Sequence, residues 1–258
     1  MPAHASTGRL SGCYVISLRP VGGHGPVRRA AAALGARTLA LSPWRIEVLA
    51  DDNARHALQR SLAAPRVVFT SPAAVTAAAA LQPLRPGPGQ CWLAVGAGTA
   101  LALRRAGAGE IASPTRMDSE GLLAMPELAE VRGLDVGLVT APGGRGVIAA
   151  TLAGRGARVL RANVYERVAI APSPRAVAAL RALEAPAWLL LSSGEALEHV
   201  LAALPADALA GLRRAGVVAA SERLAGLARG HGLRVDAVAA SARPADMLAA
   251  CAAARAKP

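Results

Sequence analysis

Two segments decide the fold when one is set above the other: YVISLRPVGGHGPVRRAAAALGARTLALSPW, residues 14–44, and DVGLVTAPGGRGVIAATLAGRGARVLRANVY, residues 135–165. The offset is constant at 135 − 14 = 121 and needs no gap. Gly22 and Gly23 fall on Gly143 and Gly144, and Gly35, Ala36 and Arg37 fall on Gly156, Ala157 and Arg158. Each copy reads as an apolar strand, a glycine-rich turn, an Ala-rich helix, a Gly-Ala-Arg turn and a second strand.

Outward from these copies the duplication continues. RVVFTSPAAVTAAAAL (66–81) corresponds to the later part of APAWLLLSSGEALEHVLAAL (185–204), with Thr70-Ser71 on Ser192-Ser193. CWLAVGAGTALALRRAGAG (91–109) corresponds to AGVVAASERLAGLARGHGL (215–233). A period of about 120 residues is too long for a solenoid, whose repeats run roughly 20–50, so it describes two homologous domains. The runs VVF and WLLL suit strands buried on both faces. A Ser or Thr with Pro or Gly follows each, then an Ala/Leu helix, which is an N-cap signature. Strands alternating with helices imply parallel sheets and right-handed crossovers. The fold class is therefore α/β: two duplicated flavodoxin- or Rossmann-like domains with mostly parallel sheets.

Composition agrees with that class and narrows the partners. The 258 residues are 53% hydrophobic and 2% aromatic, enough apolar material for two cores built from small side chains. The net charge of +12 comes almost wholly from Arg, since Lys257 is the only lysine. These arginines are scattered, with nothing longer than pairs such as Arg28-Arg29, Arg104-Arg105 and Arg213-Arg214, and none is interleaved with aromatics as a single-strand binder requires. Nucleic acid is not the expected partner. The positive field favours a polyanionic small molecule. Cys13, Cys91 and Cys251 are odd in number and widely spaced, which reads as buried free thiols in a reducing compartment. The lead-in MPAHASTGRLSG lacks the apolar stretch of a secretory signal, and no apolar run is long enough to span a membrane. A cytoplasmic protein without membrane association is expected.

In parallel sheets ligands bind at the turns beyond the carboxyl ends of the strands. Six turns qualify: Arg19-Pro20, Thr70-Ser71-Pro72, Gly96 to Thr99, Gly143 to Arg145, Ser192-Ser193-Gly194 and Ala220 to Arg223. Free backbone N–H groups and the positive end of the helix dipole make each a candidate anion site. Ordinary capping explains any one alone; six in a duplicated pair of sheets are more specific. Familiar motifs fail. GAGTAL at Gly96 lacks the third glycine of a dinucleotide fingerprint, and neither GGHGPV nor GGRGVI carries the Lys-Ser/Thr of a phosphate loop. Five histidines form no ligand-spaced pair, so no metal is expected. No Ser, Cys or carboxylate has the neighbours of an activated nucleophile. What remains is an enzyme without obvious acid–base apparatus, or a two-lobed non-enzymatic binding protein for an anionic small molecule. Tyr165, in ANVYERVAI, is one of two tyrosines and sits where the first copy has Trp44. It is either a packing residue or a proton donor in an interdomain cleft.

The ordered set of motifs resembles the uroporphyrinogen-III synthase family. Its members share the early Arg19-Pro20, FTSP-A-V at 69–75, VG-x-x-TA at 95–100 with Leu103 and Gly107, and SEGLL at 119–123. They also share the GGR-to-VYER stretch at 143–167, LSS-x-x-A-L at 191–197 and SERLA at 221–225, so the resemblance covers nearly the whole chain. It implies interleaved domains: residues 1–42 with 170–258, residues 50–160, and a two-stranded antiparallel linker of 43–49 and 161–169, with a cleft between the domains. It implies cyclisation of hydroxymethylbilane to uroporphyrinogen III, with loss of water and inversion of the last pyrrole through a spiro intermediate, and no cofactor. The substrate's eight carboxylates suit N–H-rich turns, and its own reactivity accounts for the missing catalytic triad. Tyr165 then assists departure of the hydroxyl. Arg19, Pro20, Thr70, Ser71, Gly96, Thr99, Arg145, Ser192, Ser193, Ser221 and Arg223 are the substrate-binding candidates. A monomer is expected, with the preceding enzyme, hydroxymethylbilane synthase, as a candidate partner.

Overall fold

Short runs of β-branched and aliphatic residues make the strands, and capped Ala-rich segments make the helices between them. The computed structural model describes residues 8–143 and 146–256. From the N-terminus the chain runs β1 (Tyr14–Ser17), α1 (Gly25–Ala33), β2 (Arg37–Ala40) and β3 (Trp44–Val48). It continues through α2 (Asp52–Leu62), β4 (Arg66–Phe69), α3 (Pro72–Leu81), β5 (Cys91–Ala94), α4 (Ala97–Arg105) and α5 (Ser119–Leu123). The second copy opens with β6 (Asp135–Thr140), α6 (Val147–Gly154), β7 (Arg158–Asn163) and β8 (Tyr165–Ala169). Then come α7 (Pro174–Arg181), β9 (Ala187–Leu191), α8 (Gly194–Ala203) and α9 (Ala206–Arg214). The chain closes with β10 (Gly216–Ala219), α10 (Glu222–Gly230), β11 (Val235–Val238) and α11 (Pro244–Arg255).

The strands form three sheets, in the orders β11-β10-β9-β1-β2, β5-β4-β6-β7 and β3-β8. Every registered pair in the two larger sheets is parallel. Beside the β3-β8 pair, Ile170 N–H donates to Pro43 O at 3.1 Å and Leu49 N–H to Val164 O at 3.0 Å. One index falls as the other rises, so this pair is antiparallel. Mostly parallel α/β sheets are thus the fold class read from the sequence, and the two-stranded antiparallel sheet is the one that the family resemblance implies. Residues 1–45 with 168–258 form one compact unit, and residues 46–167 the other.

The duplication is visible in the strand orders, because β10-β9-β1-β2 has the same arrangement as β5-β4-β6-β7. Each four-strand set mixes the copies: β1 and β2 are flanked by second-copy strands, while β6 and β7 are flanked by β4 and β5 from the first. Gly35 and Gly156, equivalent in the repeat, both have positive φ (79° and 85°) just after α1 and α6. That left-handed conformation ends a helix at little cost only for glycine. One boundary differs from the sequence reading. Residues 161–163, expected in the linker, pair with Leu138, Val139 and Thr140 as the end of β7, and β8 begins at Tyr165.

Alternate residues of the 46–167 unit's strands enter cores on opposite faces of its sheet. Val67, Phe69, Trp92, Ala94 and Val139 pack in one, and Val68, Leu93, Val136 and Leu138 in the other. Burial on both faces is why these strands read as unbroken apolar runs. α2 lies so close to β6 that a Cβ on Gly137 would stand 2.0 Å from Ser61 O. Ser61, fully buried, donates its hydroxyl to Leu160 O at 2.6 Å and so ties α2 to β7 as well. Cys13 and Cys251 are buried free thiols, whereas Cys91, at the start of β5, is only half-buried. Among the described residues no helix is long and apolar enough to cross a membrane.

Candidate functional site

Helix capping places three of the candidate serines at the carboxyl ends of the strands. Ser71, Ser193 and Ser221 are the N-caps of α3, α8 and α10, accepting from the N–H groups of Ala74 (3.1 Å), Ala196 (3.3 Å) and Leu224 (3.4 Å). Such a cap stabilises its helix by about 1 kcal/mol. It uses one lone pair of each hydroxyl and leaves the proton available to donate.

In the 46–167 unit these ends open on a cavity of about 220 Å³. Thr70, Ser71 and Tyr165 line it together with Thr140, Arg161 and Arg167. Tyr165 opens β8, and its ring is part of the core, leaving the residue 3% exposed. Its hydroxyl lies 3.1 Å from Ser71 Oγ. Since Ser71 already accepts from the backbone, it can stabilise a developing phenolate by donating its own proton to the Tyr165 oxygen. Beside this pair Thr70 donates to Thr140 Oγ1 at 2.9 Å. From β7, Arg161 reaches the turn after β6, donating through Nη2 to Ala141 O at 2.8 Å and Gly143 O at 3.2 Å.

Other candidates fall differently. Gly96 is the N-cap of α4 and does not line this cavity. Thr99 is 2% exposed, because its position in the first turn of α4 faces the core beside Ala100 and Leu103. Arg145 lies outside the described residues. In the other unit, Arg19 and Pro20 follow β1, Ser192 and Ser193 follow β9, and Ser221 and the exposed Arg223 follow β10. Burial holds the Arg19 guanidinium below its ordinary pKa. Thr140, Arg161 and Arg167 were not singled out by sequence. Thr140 had a signal, being at a strand end beside Ala141-Pro142. Arg161 had none, being one of many scattered arginines.

His24 backs the Arg19-Pro20 turn from the start of α1. It is 5% exposed, with Nδ1 2.9 Å from Ser17 Oγ and Nε2 2.8 Å from Ser42 Oγ. Burial first, then the nearby Arg28 and Arg19 cations, push its pKa down from 6.5 to about 4. Between those values the unfolded chain binds a proton that the folded chain refuses, so stability falls as the pH is lowered from 6.5 towards 4, by about 1.4 kcal/mol per unit. Urea unfolding at about pH 7 and about pH 5 is expected to differ by about 2 kcal/mol from this group, a difference that His24→Asn abolishes. A variant retaining the full pH dependence would assign it to other groups.

Comparison with known proteins adds the family. The profile of the family described as uroporphyrinogen-III synthase HemD matches residues 26–249. The uroporphyrinogen-III synthase of Escherichia coli is 34% identical over 140 residues, 54% of this chain and 57% of that enzyme. That of Salmonella typhimurium matches to the same extent. The match therefore spans a little over half the length of these curated relatives. Among solved structures, a uroporphyrinogen III synthase mutant from Thermus thermophilus superposes with a TM-score of 0.58 at 20% identity, covering 95% of this chain and 100% of that one. A uroporphyrinogen-III synthetase from Helicobacter pylori gives 0.59 at 14% identity, covering 93% and 98%. At these identities the two structures speak to the fold.

Proposed function

The chain belongs to the uroporphyrinogen-III synthase family, and from that membership we propose that it cyclises hydroxymethylbilane to uroporphyrinogen III, losing water and inverting the last pyrrole. The carrying observation is the family match over residues 26–249, joined to a buried tyrosine hydroxyl at the cavity wall. Tyr165 supplies the proton to the departing hydroxyl, and Ser71 stabilises the oxygen that has given it up. The linear substrate is reactive by itself, so the larger share of the work is to fix its conformation for ring closure. Backbone N–H groups and hydroxyl protons at the strand ends suit its carboxylates. On this reading Arg19, Pro20, Thr70, Ser71, Gly96, Arg145, Ser192, Ser193, Ser221 and Arg223 are the contact candidates. Thr99, 2% exposed in the first turn of α4, is a further contact candidate of the same reading.

On the same reading the reaction runs in the cytoplasm, in a monomer that takes its substrate from hydroxymethylbilane synthase. A binding protein without chemistry finds no support among the relatives found. The test is a coupled assay in which porphobilinogen and its deaminase generate the substrate, the product is oxidised, and the porphyrin isomers are resolved. Type III is expected to replace type I as this protein is added. Type I throughout would overturn the proposal.

A further inference from the structure

Arg161 lies on β7, the edge strand of its sheet, with an exposed side chain and no carboxylate paired with it among the described residues. Three of its five guanidinium protons are spent within the unit. Nε donates to Asn163 Oδ1 at 2.9 Å, and Nη2 to the Ala141 and Gly143 carbonyls. Among the described residues Nη1 donates to nothing, and the residue lines the same cavity as Tyr165, Ser71 and Thr140. A guanidinium fixed along one edge has already lost most of the freedom that binding would otherwise cost. The two protons on its free nitrogen favour an oxygen anion, and a carboxylate is the matching group.

We propose that Arg161 is a carboxylate-binding residue of this cavity, holding the turn after β6 with one edge of its guanidinium and a carboxylate of the ligand with the other. The inference rests on the cavity being the substrate site, and it adds a residue that is not among the substrate-binding candidates drawn from the sequence. The same cation serves both tasks, so its loss acts on binding directly and on the turn that shapes the cavity.

Arg161→Gln and Arg161→Lys would be titrated with uroporphyrin, a polycarboxylate whose binding can be followed optically without turnover, and assayed for cyclisation. Arg161→Gln is expected to weaken uroporphyrin at least about tenfold, as for a charge-assisted hydrogen bond, and to raise KM by a similar factor with kcat nearly unchanged. The loss shrinks as salt is raised. Arg161→Lys keeps the charge but not the fork, and should recover part of the affinity. Unchanged uroporphyrin affinity in Arg161→Gln overturns the proposal. So does an equal loss in both variants that tracks a lowered melting temperature, which would leave only the hold on the turn. Wild-type protein that binds uroporphyrin yet never changes the isomer ratio would defeat the proposed reaction while the titration still decides Arg161.

Discussion

Replacing Tyr165 with Phe is expected to lower kcat about a hundredfold, within the range for a lost general acid, while leaving the unfolding transition almost in place. The two effects separate because the ring and the hydroxyl do different jobs. The ring packs in the core of the 46–167 unit, and Phe keeps that packing. Among the described residues the hydroxyl has one hydrogen-bond partner, Ser71 Oγ at 3.1 Å. Ser71 still caps α3 through Ala74 N–H after the change, so the stability cost stays near 1 kcal/mol. Steady-state assay with substrate generated in place, alongside thermal unfolding, reads both. Activity at the wild-type rate would remove Tyr165 from the proton transfer and leave it a packing residue.

For stability the largest expected effect is Gly137→Ala. The added Cβ would meet Ser61 O at 2.0 Å and Ser61 C at 2.7 Å, and backbone cannot rotate aside as a side-chain tip can. α2 must move off β6, which also strains the Ser61-to-Leu160 hydrogen bond. Overpacking against backbone is expected to cost about 3 kcal/mol, a fall of roughly 6–12 °C in Tm for a protein of this size. Gly226→Ala is the control: its Cβ meets nothing within 4 Å, in an exposed part of α10. That change is expected to be neutral or to stabilise by up to about 1 kcal/mol. Equal behaviour of the two variants would mean that the close approach of α2 is not what glycine serves at 137.

The legibility of this chain divides by distance along it. Strand, turn and helix were readable because each depends on neighbours a few positions apart: an unbroken apolar run in VVF, a Ser three residues before the N–H it caps, a glycine where the helix ends in the left-handed region. The 121-residue repeat was readable for the same reason, since two copies with the same local pattern align without reference to space. The site was readable only in part. Ser71 and Tyr165, 94 residues apart, could each be picked out at a strand end, but their contact could not. Arg161 was not legible, because the carbonyls that fix its guanidinium lie 20 and 18 residues away, on a neighbouring strand's turn. The burial of Thr99 was not legible either, because a position at the start of a helix does not tell which way the helix turns its first residues.

By itself, then, the sequence determined a duplicated α/β chain of parallel strands, its turns at the strand ends, and the glycines and caps that those turns require. Which strands share a sheet is set by packing in three dimensions. β9 and β10 join β1 and β2, while β4 and β5 join β6 and β7. The physical reason is that ladder hydrogen bonds run between backbone groups common to every residue. Either copy's strands present the same edge and similar apolar faces, and the selection among them lies in packing between segments far apart in the chain.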